Sequence, residues 1–273
     1  MINESQYLKV KHVVDELLAS HDGNYTRFVP QLEAIINDAY GALRTDLNPA
    51  ITNLPNWDVD DIKFLVKEYS GFTNESIHMF HDATIRLKWD GVKDEIARNV
   101  SEEMGALTNG VPHLELMRQG YRDELGVQTE DVEYSACTQG FLNKMKQIFR
   151  STNNAYTCGA LLAFEATATF EFKAVEKILR TLKSRLDNGV IADDSITGKY
   201  ILGHVSDAPP GENPEDDHYD GMRRAIGNYI DHGNAKDVIR GFVAVCTALN
   251  AWWEQLSIEV YSHQMNKFIE SRA

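Results

Sequence analysis

Cysteine is scarce in this chain: Cys137, Cys158 and Cys246 are the three found in 273 residues. They are scattered, odd in number and form no CxxC, which argues against a disulfide framework and a thiolate zinc site and points to a reducing compartment. Basic residues are also few: 27 Lys and Arg stand against 41 Asp and Glu, a net charge of −14. Phosphate binding needs a basic face, so nucleic acid is not an expected partner, and an acidic membrane surface is disfavoured for the same reason. The N-terminal MINESQYLKV lacks a basic region followed by an apolar run, so no signal peptide is expected. No apolar run is long enough to cross a bilayer. A soluble, cytoplasmic protein is the expectation. Long alternation of apolar and polar residues is missing as well, as are internal repeats and low-complexity tracts.

What is present is helical period. Residues 7–21 and 29–43 repeat their apolar side chains every three or four positions. A looser stretch, 44–58, holds two of the seven prolines. Helices are expected over 60–72, over 74–89 with Asn74 as N-cap, and over 91–107 up to the break TNGVP. The next helix begins at Pro112 and ends at Gly126. In the second half, SACTQGFLNKMKQIFRS and NAYTCGALLAFEATATFEFKAVEKILRTLKSRL read as long helices, and GKYILGH stops at a Pro/Gly-rich break. A helix then opens at Asn213 and Pro214, and 235–272 closes the chain as one long helix or a pair. The expected fold is a single all-α domain, a helical bundle with its core over about 60–265 and N-terminal helices over 7–43 packed on it.

In such a bundle the telling residues are acids and histidines on apolar stripes, where charge is costly unless paired or bound to metal. Val92, Ile96, Val100, Glu103 and Leu107 share one helical face, so Glu103 falls in the buried seam. Glu102 falls beside Glu95 and Asn99, four residues after Arg98, and reads as a solvated ion-pair residue. His113 sits in the first turn of the next helix above Leu116 and Met117; alone it reads equally as a core histidine. Glu165 is flanked by Leu161, Leu162, Ala168 and Thr169, with nothing local to pair with, so it reaches either an Arg of another helix or a metal. Glu171 points elsewhere round that helix, to a supporting or surface position. His204 ends one helix, and Glu215 and His218 lie three apart at the start of the next. Glu-x-x-His on an inward face is the pattern of carboxylate-bridged di-metal bundles, although acids there also serve the helix dipole. A rival set, Glu75, His78 and Asp82, faces solvent by its spacing, and Glu259 with His263 is a weak pair. The inward set is thus Glu103, His113, Glu165, His204, Glu215 and His218. Three carboxylates and three imidazoles without thiolate suit two iron, or iron and manganese, ions better than structural zinc.

At NVSEEMG, PHLELMRQGYRDELG, LLAFEATATFEF and the late His/Glu-x-x-His cluster, the chain resembles the haem-oxygenase-like di-iron oxidases and oxygenases, and within them the CADD-like proteins. The resemblance spans roughly 60–265. It implies a seven-helix haem-oxygenase-like bundle, a fold shared with PqqC and TenA, that uses dioxygen to oxidise a small organic substrate. It also implies a homodimer and metals that are weakly held. The first helix of the family pattern gives Glu103 and His113, and the middle helix gives Glu165. The late helix of the pattern carries a contiguous His-x-x-x-Asp-x-x-His. Here VSDAPPGENP separates His204 from His218, so the middle carboxylate is Glu215 or else Asp207. A substrate cavity beside the metals would draw on Met117, Tyr121, Phe172 and Met222, each of which also reads as plain core.

Other readings are open at this stage. A metal-independent enzyme of the same fold, PqqC- or TenA-like, would need a nucleophile such as Cys158 or Cys137. A protein-interaction module with a vestigial metal site would expose an apolar helix face, for which 244–256 is the candidate. Haem itself would need His12.

Overall fold

A computed structural model describes residues 4–19, 28–205 and 214–272, leaving aside the side chains of 6, 17, 19, 28–30 and 214–216. Among the described residues eleven α-helices follow one another: α1 Glu4–Ala19, α2 Phe28–Ala39, α3 Pro49–Asn53, α4 Val59–Thr84, α5 Asp90–Ser101, α6 His113–Leu125, α7 Ala136–Phe149, α8 Asn154–Asp187, α9 Ile196–Leu202, α10 Pro214–Gly227 and α11 Ala235–Glu270. Among the described residues there is no strand, and no helix is long and apolar enough to cross a membrane. The buried side chains form one continuous core from Val10 to Val260.

Helix ends are set by their own side chains. Asp58 and Asp61 form a reciprocal capping box at the start of α4. Ser135 and Asn153 cap α7 and α8. Gly126, at φ 62°, closes α6 in the left-handed conformation, as its position after the apolar period predicts. The expected break before Asn74 does not occur. α4 runs through it: the Asn74 amide oxygen that would cap a helix accepts instead from Arg118 (2.8 and 3.1 Å), while its amide nitrogen donates to the Thr129 carbonyl and the Tyr134 hydroxyl (3.0 Å each).

α8 and α11 form the centre. Their contacts run from Gly159–Val238 to Glu171–Trp253, so the two helices point the same way. α4 lies antiparallel to α11: Tyr69 stacks on Trp252 and Trp253, while Gln264 and Lys267 reach Asp61 at the start of α4. Residues 244–256, the candidate for an exposed apolar face, instead supply the bundle core, with Trp252, Trp253, Leu249 and Leu256 buried. α5 pairs with α10, and α6 with α9. These two pairs, the residues that directly follow α5 and α9, and the middle of α8 carry the acids and histidines of the candidate site.

Candidate metal centre

The helix expected over 91–107 stops being α-helical at Ser101. Residues Glu102–Ala106 form a wider π turn, closed by Gly105 at φ 102°. A π turn holds one residue more than an α turn, so the two adjacent acids both turn inward, to different neighbours. Leu107, placed in the buried seam by α-helical spacing, is exposed instead. A Cβ on Gly105 would stand 2.7 Å from the Gly110 carbonyl carbon and 2.8 Å from the Val111 backbone. Gly105→Ala is expected to lower stability by about 2–3 kcal/mol and to weaken divalent-metal binding about tenfold, read by thermal unfolding and metal titration of one preparation.

Glu103 Oε1 lies 3.4 Å from His113 Nδ1 and 3.4 Å from His204 Nε2. The three donor atoms are all within 4.8 Å of one another. Burial by itself would push the Glu103 carboxyl up; the two imidazoles outweigh it and hold the group well below the carboxylate range. His204 Nδ1 is 2.8 Å from the Tyr200 carbonyl, which can only accept. That bond keeps a ring proton on Nδ1, so Nε2 is the nitrogen turned to Glu103, able to donate to the carboxylate when no metal is present and to offer its lone pair once that proton leaves, the arrangement of a metal-ligating histidine. Phe172 stacks on the other face of His204, with centroids 3.9 Å apart. His113 is buried, and neither of its ring nitrogens has a hydrogen bond of ordinary geometry. Two ligand atoms at roughly 2.1 Å from a common ion and about 110° apart are themselves about 3.4 Å apart. An anionic oxygen, a tautomer-fixed imidazole and an orphaned buried imidazole at that spacing fit a divalent cation.

A second group adjoins the first. His218 Nε2 is 2.6 Å from Glu102 Oε2, and Glu102 Oε1 accepts from Arg98 Nη1 at 3.0 Å. Glu102 therefore keeps its expected pairing with Arg98, but it is largely buried and holds His218 rather than standing in water. Burial lowers the His218 pKa more than Glu102 raises it. Glu165 is buried, and its Oε1 accepts from Asn99 Nδ2 at 2.9 Å. Burial is the main cause that pushes its pKa up to about 8, with the nearby charges of Glu103 and Glu102 adding to it. Of the remaining sequence expectations, Glu215 has its backbone in α10 with a side chain outside the described residues, and Asp207 lies outside them altogether.

A cavity of about 50 Å3 opens on these residues, with Glu103, Glu165, His204 and His218 on its wall. Of the four residues expected to line it only Phe172 does; Met117, Tyr121 and Met222 are fully buried core side chains. Glu171, expected at a supporting or surface position, is buried on this cavity, and its Oε1 accepts from Trp253 Nε1 at 2.9 Å. Burial pushes its pKa up to about 7. Sequence spacing missed the inward turn of Glu102 and the role of Asn99. The Arg98–Glu102 spacing was visible, but a π turn leaves no mark in an apolar period.

The rival residues lie elsewhere. His78 is exposed, Glu75 pairs with Lys146 (2.9 Å) and Asp82 with Arg150 (2.8 Å). His263 stacks on Phe64. His12 is exposed beside Glu16. Burial pushes the Cys137 thiol up to about 12 and Cys158 higher still, the opposite of an activated nucleophile.

The raised carboxyls give a pH signature. A folded-state pKa above the unfolded 4.5 means that the folded chain binds more protons between the two values, so stability falls as pH rises. In chelator-treated protein the melting temperature is expected to drop between about pH 5 and pH 8, and Glu171→Gln is expected to remove its share of the drop between about pH 5 and pH 7, leaving the part that Glu165 carries on to about pH 8.

A family model described as "Domain of Unknown Function with solved-structure structure (DUF3865)" matches residues 26–259. Two crystal structures of a CADD-like protein of unknown function from Nostoc punctiforme PCC 73102 are similar. One, at 2.00 Å resolution, is 24% identical with a TM-score of 0.76, covering 86% of this chain and 98% of that chain. The other, at 1.35 Å, is 26% identical with a TM-score of 0.74, covering 88% and 96%. No curated protein matches.

Proposed function

We propose that this chain, which belongs to the DUF3865 family, is a non-haem di-iron or iron–manganese oxidase or oxygenase that uses dioxygen to oxidise a small organic substrate. We place it in the haem-oxygenase-like arrangement that the sequence motifs suggest. The observation that carries the reading is the group Glu103, His113 and His204 at ligand spacing. Support comes from Glu165, Glu102 and His218 against the same cavity or its wall. Two bound ions would supply a site where dioxygen is reduced.

The chain's own groups do the rest. Glu103 brings negative charge to the point shared by two imidazoles. The Tyr200 carbonyl sets the tautomer of His204, Asn99 orients Glu165, and Arg98 with Glu102 fixes His218. At neutral pH in the metal-free protein Glu165 keeps its proton, with a pKa of about 8, and must release it to serve as an anionic ligand. Phe72, Phe164 and Phe172 line the cavity and keep bulk water from it. The buried thiols argue against a cysteine nucleophile in a metal-independent enzyme, and the buried 244–256 stretch argues against an interaction module.

Anaerobic Fe(II) titration, followed by dioxygen with optical and Mössbauer readout, tests the proposal. Binding of about two irons per chain and their oxidation by dioxygen is the expected result. Absence of specific iron binding would overturn it.

A further inference from the structure

Three carboxylates reach the cavity wall, and they are not equivalent. Glu103 and Glu165 belong to the metal group. Glu171 lies six residues beyond Glu165 on α8, roughly 9 Å further along the helix axis. Its hydrogen bond among the described residues comes from the neutral indole of Trp253. Neither lysine nor arginine lines the cavity. Glu171 is buried, and a buried carboxylate without a cation is costly. Among the described residues no lysine or arginine pairs with it, and burial raises the carboxyl's pKa.

The surroundings suit a cation from outside. Tyr69, Phe72 and Phe164 line the same cavity, and Tyr69 also stacks on Trp253, the donor to Glu171. Aromatic faces beside one carboxylate recognise an ammonium group through cation–π attraction and one charged hydrogen bond. Glu103 and Glu165 stand with the imidazoles of the metal group and Glu102 is held by Arg98 and His218, which leaves Glu171 for a guest. The cavity, about 50 Å3, has room for a few waters or one compact head group.

We infer that Glu171 is the docking point for a protonated amino group, and that the substrate of this site is a primary amine whose body extends toward Glu103 and His204. The inference rests on the oxidase reading for what happens to the amine, but amine docking itself can be measured without metal. The experiment is an NMR titration of the chelator-treated, full-length protein with n-butylamine, 1-butanol and butyrate, following the Trp253 indole N–H, assigned with Trp253→Phe. The amine is expected to shift that signal saturably and to bind at least about tenfold more tightly than the alcohol or the acid, the usual scale of a charged hydrogen bond. Glu171→Gln is expected to abolish the difference. Equal affinities, no shift with any of the three probes, or a preference that survives Glu171→Gln would each overturn the inference. The charge series on wild type decides the matter even where the variant folds poorly. Iron titration of the same samples separates the two claims: lost iron binding with intact amine preference removes the oxidase reading alone, and the reverse removes amine docking alone.

Discussion

Glu103→Gln is expected to reduce Fe(II) affinity by on the order of 100-fold or more, beyond the loss typical of a supporting residue, while the chain stays folded. The substitution keeps shape and removes charge. Glu103 Oε1 is the atom equidistant, at 3.4 Å, from His113 Nδ1 and His204 Nε2. An amide offers a neutral oxygen to one side and an N–H to the other, and that N–H opposes a cation. Glu102→Gln removes a charge of the same sign one residue away, yet its effect is expected to be smaller, about tenfold. Glu102 already spends one oxygen on Arg98 and the other on His218. Titration of both variants by calorimetry checks the order. Equal losses would mean that general negative charge, not the triad, attracts the metal. Melting curves of the metal-free variants show whether either loss comes from unfolding.

Gly159→Ala and Gly241→Ala are each expected to lower stability by about 3 kcal/mol or more, a melting-temperature drop on the order of 10 °C for a chain of this length. A Cβ on Gly159 would stand 1.9 Å from the Val238 carbonyl oxygen, and one on Gly241 would stand 1.8 Å from the Tyr156 carbonyl oxygen. Both obstacles are backbone atoms, so no rotamer change relieves them. The two glycines sit one turn from each other's obstacle, at the point where α8 and α11 touch most closely. Either alanine pushes the central helices apart, so the double variant is expected to cost less than the sum of the two. Gly140→Ala serves as the control. It lies inside α7 and its Cβ would meet nothing within 4 Å, so helix propensity alone predicts a gain of about 0.5–1 kcal/mol. Destabilisation of equal size at all three positions would remove the close-approach argument.

The all-helical architecture was legible because amphipathic period survives along most of the chain, and because Gly126 and Ser135 punctuate it by chemistry that acts within one turn. Glu165 was legible for the same reason: a lone acid in LLAFEATATF has nowhere local to go. His113 and His204 were legible as candidates, and their spacing to Glu103 required the fold. Where the reading went astray, the cause lay across the molecule. Asn74 looks like an N-cap until Arg118 occupies its amide oxygen. Glu102 looks solvated as long as 3.6 residues per turn is assumed. Met117, Tyr121 and Met222 carry the side chains of a pocket but pack as core, since which apolar face borders a cavity depends on helices distant in sequence. The choice for Glu171 between a supporting and a surface position stayed open because the donor that decides it, Trp253, lies 82 residues away.

The π turn has a mechanical consequence. Glu102 and Glu103 are joined by one peptide bond, yet one faces His218 on α10 and the other faces His113 on α6 and His204 beyond α9. A tug on either carboxylate is transmitted to its neighbour through a lever one residue long. Were both sides to bind metal, ligation at one would be expected to change the free energy of ligation at the other, equally in both directions by thermodynamic reciprocity. Gly105 would then be the fulcrum between the two.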